Sequence, residues 1–118
     1  MSENKHMAEL AAGTFHRQLN AGQFVEVRAG ATSEFRASTS GPDLAAYLGA
    51  VRRKLGDFEN GELITWRVSN TTNGTFVDLS YQSQFEEDSA VEEFTFNMID
   101  GQAVLQKYTI NSPMLVTK

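Results

Sequence analysis

The side chains that could transfer a proton are few in this sequence: two histidines, three tyrosines and scattered carboxylates. His6 lies in the polar start of the chain, and His16 follows Phe15 within a predicted helix. A histidine is suited to general-base catalysis because its unperturbed pKa lies close to neutrality. His16 falls off the line that joins Phe15 to the other apolar residues of the helix. We therefore expect His16 at the surface or at the rim of a pocket, and His6 in solvent.

Among the acids, Asp78 lies farthest from strand ends and turns, whereas Glu92 and Glu93 stand at the start of a predicted strand. A carboxyl group in a closed cavity has a raised pKa and can act as a base. Asp78 alternates with apolar neighbours, however, which places it on the polar face of the strand. We expect it to be solvated or paired with Arg67 or Lys107 on another strand.

A group of aromatic residues is suited to binding a ligand. Tyr81 and Tyr108 share the apolar faces of their predicted strands, and Trp66 lies on an adjacent one. Aromatic walls with a hydroxyl group suit a small apolar ligand. The alternative is that these are core residues whose hydroxyl groups reach the surface, as for Tyr47. The predicted ligand-binding residues are Trp66, Tyr81, Ser83, Phe96 and Tyr108.

Several classes of site are missing from the sequence. It contains no cysteine, which excludes disulfides, thiolate zinc sites and cysteine nucleophiles. Histidine spacings typical of metal sites, glycine-rich phosphate loops and nucleophile elbows are also absent. The cations Arg52, Arg53 and Lys54 end a predicted helix, which is the wrong end for binding phosphate. We therefore predict no catalytic residue, no cofactor and no metal.

Length and charge limit the possible partners. The chain has 118 residues, the size of one domain, and a formal net charge of −5. An acidic surface repels phosphate backbones and anionic membranes, so we expect no nucleic-acid partner. No apolar run approaches the roughly 20 residues needed to span a bilayer, and the polar start does not resemble a signal peptide. We expect no membrane insertion by this chain.

Up to Gly56, the apolar residues recur at helical spacing. A first helix is predicted over about residues 3–20, with Ser2 as a possible N-cap. A brief helix follows at 23–28, and Thr32 can cap one further turn. The stripe predicted for the first helix consists of Met7, Leu10, Ala11, Phe15 and Leu19.

A second long helix has strong signals at both ends. Ser40 can cap its start and Pro42 suits its first turn. Gly56 is expected to end it. Its apolar stripe is Leu44, Tyr47, Leu48, Val51 and Leu55.

From Gly61 onward the hydrophobic period changes to two, which indicates strands. Turns are predicted at 70–74, at 86–89 and at Asp100-Gly101, and pairing should end near Ser112 because Pro113 cannot donate. The four apolar faces are Ile64, Trp66 and Val68; Val77, Leu79, Tyr81, Ser83 and Phe85; Phe94, Phe96 and Met98; and Val104, Tyr108 and Ile110. The predicted fold is a single α+β domain over 1–118, with N-terminal helices packed on a curved four-stranded antiparallel meander sheet.

Three segments carry a resemblance to a known superfamily. The first helix ends in Leu19-Asn20-Ala21-Gly22-Gln23-Phe24, the second long helix ends in Arg52-Arg53-Lys54-Leu55-Gly56, and residues 94–105 form a terminal hairpin. Together they resemble the nuclear-transport-factor-2-like superfamily of cystatin-like folds, and most closely its small, uncharacterised, exported bacterial members. The resemblance implies a sheet curled around a helix to leave a conical cavity. It also implies a periplasmic or cell-envelope location, with a cytoplasmic one as the alternative.

The resemblance leaves function open, because relatives with this fold differ in activity. We expect a non-enzymatic binding or accessory domain that takes a small apolar ligand or a protein partner in the cone or on the sheet. The alternative is an isomerase- or dehydratase-like enzyme that uses Asp78 or His16 with Tyr81 or Tyr108. A weak homodimer through the open sheet face is also expected. That face offers Thr65, Arg67, Ser80, Gln82, Thr95, Asn97 and Thr109.

Overall fold

The computed structural model describes residues 3–116, and the possible N-cap Ser2 lies outside that range. Helices occupy the first half of the chain and strands occupy the second. The helices are α1 (Glu3–Asn20), α2 (Phe24–Ala29), α3 (Ser33–Ser38) and α4 (Gly41–Leu55), and a short α5 (Pro113–Val116) follows the sheet. The strands are β1 (Phe58–Thr71), β2 (Gly74–Phe85), β3 (Ser89–Ile99) and β4 (Gln102–Asn111).

The predicted N-caps of α3 and α4 are confirmed. The Thr32 side chain accepts a hydrogen bond from the Phe35 backbone, and the Ser40 side chain accepts one from that of Asp43. Each cap satisfies a backbone donor at the helix start that has no partner within the helix. Gly56 follows the last residue of α4, so the predicted start and end of this helix are confirmed.

The buried face of α1 differs from the predicted stripe. Its buried residues are Ala8, Ala12, Phe15, His16 and Leu19, whereas Leu10 is 55% exposed. The predicted stripe contains four large apolar side chains and omits Ala8 and Ala12, which are buried. Alanine side chains are small, so the helix backbone can lie close to the sheet on this side. The buried face of α1 therefore includes His16.

The four strands form a single antiparallel sheet in the order β1-β2-β3-β4, as predicted. Thr71 pairs with Gly74 and Ile99 pairs with Gln102, so each of these hairpins turns through two residues. In the second turn Asp100 and Gly101 both have positive φ, as a type I′ turn requires. The fold is therefore α+β, with N-terminal helices packed on a four-stranded meander.

Two bulges correct the predicted strand faces. In β1 the register shifts between Leu63 and Thr65, so Ile64 is the extra residue and lies exposed. In β4 the shift skips Gln106, which places Leu105 opposite Phe96. The predictions that Ile64 and Val104 lie on the core face were wrong, because a bulge reverses the alternation on one side of it.

Side-chain hydrogen bonds hold two connections in the fold. The Asn20 amide at the end of α1 donates to the Phe58 carbonyl at 3.0 Å and accepts from the Phe58 N–H at 2.9 Å. Near the C-terminus, Asp88 accepts from the Ser112 hydroxyl at 2.6 Å and from the Met114 N–H at 3.1 Å. These hydrogen bonds lower the pKa of Asp88.

Candidate functional site

A buried carboxylate with three polar partners lies between α1 and the sheet. Glu92 has no exposed surface. Its Oε1 accepts from the Ser83 hydroxyl at 2.6 Å and lies 2.8 Å from His16 Nε2, and its Oε2 accepts from the Tyr108 hydroxyl at 2.5 Å. We call these four residues the Glu92 network.

Local strand geometry explains how the sheet brings these groups together. Glu92 shares the core face of β3 with Ala90 and Phe94. Ser83 of β2 lies directly opposite Ala90, and Tyr108 of β4 lies directly opposite Phe94. Both hydroxyl groups are therefore one diagonal step from the carboxylate, within reach of its oxygens. His16 approaches from α1 above them.

Aromatic rings enclose His16, which corrects the prediction that it lies at the surface. The Phe58 ring stacks on the imidazole with centroids 3.5 Å apart and an angle of 2° between the planes. Phe94, Phe15 and Tyr81 meet it edge-on. Only 6% of His16 is exposed. A polar ring with this burial needs a partner, and Glu92 supplies it.

Burial and negative charge act together on the tyrosines. Burial, followed by the charge of Glu92 and the hydrogen bond to it, raises the pKa of Tyr108 well above its usual value. Burial, with smaller effects of Glu9 and Glu92, raises the pKa of Tyr81 to about 12. Burial also raises the pKa of Tyr47, and the Ile110 backbone opposes this shift. These hydroxyl groups remain protonated at neutral pH and can donate hydrogen bonds.

A cavity opens on the other side of Tyr108. It has a volume of about 280 Å³ and lies between α1, the short helix α3, the start of α4 and β4. We call it the aromatic pocket. It is lined by Phe15, Phe35, Thr39, Asp43, Leu44, Tyr47, Leu48 and Tyr108. Tyr108 belongs to both the pocket and the Glu92 network, and so connects them.

The five predicted ligand-binding residues do not line one pocket. Tyr108 lines the aromatic pocket, whereas Ser83 belongs to the Glu92 network and Tyr81 lies opposite Glu92. Phe96 lines a separate groove of about 310 Å³ beside α1 and α2. Trp66 is 47% exposed on β1, with Lys5 Nζ 5.4 Å from the centre of its ring. A ligand-binding role for these residues stays a prediction.

The outer face of the sheet is polar, as predicted. Asp78 pairs with Arg67 at 3.5 Å and accepts from the Thr95 hydroxyl at 2.7 Å. It lines a shallow groove of about 450 Å³ together with Ser80 and Lys107. Its position on the polar face and its pairing with Arg67 are therefore confirmed, and it does not face the core.

Glu92 is the acid that the fold buries most completely, although its place near a strand start does not by itself predict burial. The alternation Ala90, Glu92, Phe94, Phe96 nevertheless places it on the apolar face, and this signal was available. The aromatic pocket gave no such signal, since its lining comes from four separate elements.

The described part of the chain contains neither a metal-ligand cluster nor a candidate membrane helix. Within residues 3–116, no three acidic or histidine side chains are grouped so that they could hold a metal ion. Among the helices in that range, none combines the length and apolar character needed to cross a membrane.

In comparisons with known proteins, no family model matches the chain, and no curated protein matches its sequence.

Proposed function

We propose that this protein is a non-enzymatic binding domain that takes a small, mostly apolar molecule in the aromatic pocket. The observation that carries the proposal is a cavity of about 280 Å³ lined mostly by aromatic and leucine side chains, with Thr39 and Asp43 among its polar members. Ligand pockets combine these features: apolar walls supply affinity, and a few polar groups fix orientation. A closed apolar cavity of about 150 Å³ already holds benzene. A pocket of this size therefore suits a ligand of one or two rings.

The Glu92 network supports the proposal because it makes the pocket floor rigid. Tyr108 is hydrogen-bonded to Glu92, and its ring packs against Phe15 with centroids 4.4 Å apart. A side chain held in this way loses little conformational freedom when a ligand binds. Preorganisation of this kind improves affinity without adding contacts.

An isomerase- or dehydratase-like enzyme is the second candidate, favoured by the contact between Glu92, His16 and Tyr108. A buried acid beside a tyrosine hydroxyl is a known arrangement for moving a proton next to a carbonyl. Here both carboxylate oxygens already accept hydrogen bonds from protein groups. The aromatic pocket reaches Tyr108, while Glu92 and His16 do not line it. Binding is therefore the better proposal.

We also propose that the chain is a divergent member of the nuclear-transport-factor-2-like superfamily. The order of elements supports this, since helices precede a four-stranded meander sheet and a buried acid lies beneath the first helix. The cell-envelope location implied by the resemblance stays a prediction.

Titration with small neutral ligands, followed through backbone amide chemical shifts, tests the binding proposal. Phenol, cyclohexanol and indole are suitable probes. We expect the shifts to concentrate around Thr39, Leu44, Leu48 and Tyr108, because these residues line the pocket. Shifts confined to other surfaces would contradict the proposal.

Two tryptophan substitutions on α4 provide a matched comparison. Leu44→Trp places a large ring in the pocket and should abolish binding. Ala46→Trp adds the same ring at an exposed position of the same helix and should leave binding unchanged. If Leu44→Trp prevents folding, Thr39→Phe at the half-buried rim is the alternative that obstructs entry. Wild-type affinity in a folded variant with an obstructed pocket would also contradict the proposal.

A further inference from the structure

Aromatic side chains form much of the wall of the aromatic pocket. Four of its eight lining residues are aromatic: Phe15, Phe35, Tyr47 and Tyr108. The face of an aromatic ring carries partial negative charge and attracts a cation placed over it. Tyr47 is partly exposed and stands at the mouth, while Tyr108 is buried at the floor. A ligand in the pocket therefore lies close to several aromatic rings.

The full charges near the pocket are also negative. Asp43 lines it at the first turn of α4. Glu92 lies directly behind Tyr108, at hydrogen-bond distance from its hydroxyl oxygen. The influence of Glu92 extends to the mouth, where its charge contributes to raising the pKa of Tyr47.

None of the eight lining residues within the described range is basic. Arg28 reaches the Thr39 carbonyl at 2.8 Å, but its guanidinium also donates to the Arg36 carbonyl, and it lines the adjacent groove with Pro42. A cation entering beside Asp43 thus meets aromatic rings and one carboxylate, while the nearby Arg28 guanidinium is held by backbone carbonyls.

We propose that the aromatic pocket selects small organic cations, in which an ammonium group carries apolar substituents, over neutral molecules of the same shape. This inference rests on the proposed function, since it names the ligand class of the same pocket. Apolar substituents suit the leucine and phenylalanine walls. They also weaken the hydration of the ammonium group, so that moving the cation out of water costs less free energy. The contribution of Asp43 is modest because the residue is exposed and screened by solvent.

A pair of isosteric probes separates charge from shape. Choline and 3,3-dimethylbutan-1-ol differ in one atom at the branch point, nitrogen in the cation and carbon in the neutral alcohol. Titration calorimetry and amide chemical shifts give the affinity and location of each. We expect both to bind at the pocket, and choline to bind at least about fivefold more tightly, as cation–π contacts in a partly desolvated site predict.

Three substitutions test where the preference originates. Asp43→Asn keeps the side-chain shape and removes the charge, and should weaken choline binding by about two- to fivefold while leaving the alcohol unaffected. Tyr47→Leu keeps an apolar wall and removes an aromatic ring, and should also reduce the ratio of choline affinity to alcohol affinity. Asp100→Asn is the control, because it removes the same charge at the β3–β4 turn, away from the pocket, and should change neither affinity.

The outcomes distinguish the two proposals. Equal affinity for choline and the alcohol would overturn cation selection and leave the binding function standing. An unchanged preference in both Asp43→Asn and Tyr47→Leu would likewise overturn the proposed origin of selection. If neither probe produces shifts at the pocket, and neutral rings fail as well, the binding function itself is wrong and the cation inference falls with it.

Discussion

At the scale of single residues, Glu92 shows how a charge is tolerated in a core. Moving a carboxylate out of water is costly unless its oxygens receive hydrogen bonds. Here His16, Ser83 and Tyr108 supply them from α1, β2 and β4. The same bonds satisfy three buried side chains that would otherwise lack partners. Removing one member of the network therefore leaves buried polar groups without partners and destabilises the fold.

Replacing Glu92 by alanine should destabilise the protein by about 3–5 kcal/mol, because each buried polar group left without its partner costs about 1–3 kcal/mol. His16, Ser83 and Tyr108 would lose their shared acceptor, and a cavity would remain beside Phe94. Urea unfolding, followed by circular dichroism, measures the change in free energy. Glu87→Ala is the matched control: this acid is exposed in the turn before β3, and its loss should cost less than about 0.5 kcal/mol. Similar losses for both variants would mean that the network contributes nothing.

At the scale of elements, the junction between α4 and β1 determines how the helices meet the sheet. Gly56 has φ +76° and ψ −158°, a conformation that essentially only glycine adopts. A Cβ atom there would lie 2.4 Å from Glu86 Oε1 and 2.8 Å from Glu86 Cβ. Glu86 cannot move freely, because it accepts a hydrogen bond from the Asp57 N–H at 2.8 Å. The junction thus depends on the missing side chain of Gly56.

Gly56→Ala should cost about 2–4 kcal/mol, through backbone strain combined with loss of the Glu86 hydrogen bond. Gly22→Ala gives a comparison, since Gly22 also has positive φ (+71°) but no atom lies within 4 Å of the added carbon. Its cost should be limited to the strain of a left-handed residue, about 1–2 kcal/mol. Thermal and urea unfolding of the two variants give the comparison. Equal losses would show that contact with Glu86 is unimportant.

At the scale of the whole molecule, none of the helices within residues 3–116 covers the outer face of the sheet. The register places Thr65, Ser80, Glu93 and Thr109 in one cross-strand row. The adjacent row consists of Arg67, Asp78, Thr95 and Lys107. Two copies could pack with these faces together, related by a two-fold axis that lies between the sheets, runs parallel to the two rows and passes between them. Asp78 would then lie opposite Ser80 of the second copy, and Glu93 opposite its Thr95. We propose that this face forms a weak, polar homodimer.

Sedimentation equilibrium should show an average mass that rises above that of one chain at high micromolar concentration. Ser80→Glu should suppress this rise, because the proposed symmetry places it opposite Asp78 of the other copy. Gln84→Glu is the control, with the same change of charge on the same strand but farther along the face. A wild-type protein that remains monomeric at these concentrations would refute the dimer.

Much of the architecture could be predicted from the sequence, because its signals are local. The Ser40 cap and the Asp100-Gly101 turn each act through neighbouring backbone groups, and both are confirmed. The change from helical to alternating hydrophobicity around Gly61 correctly separated helices from strands, although β1 begins earlier, at Phe58. Errors arose at Ile64 and Val104, where a bulge depends on the partner strand.

The order of elements, the ends of the main helices and the polar character of the outer sheet face could all be predicted from the sequence, since each follows from contacts between neighbours along the chain. The contact between His16 and Glu92, and the membership of Tyr108 in both their network and the aromatic pocket, arise only in the folded chain. His16 and Glu92 are 76 residues apart, and nothing local requires them to touch. They meet because α1 turns its alanine-bearing face to the sheet, and a buried polar group must find its partner wherever the fold supplies one.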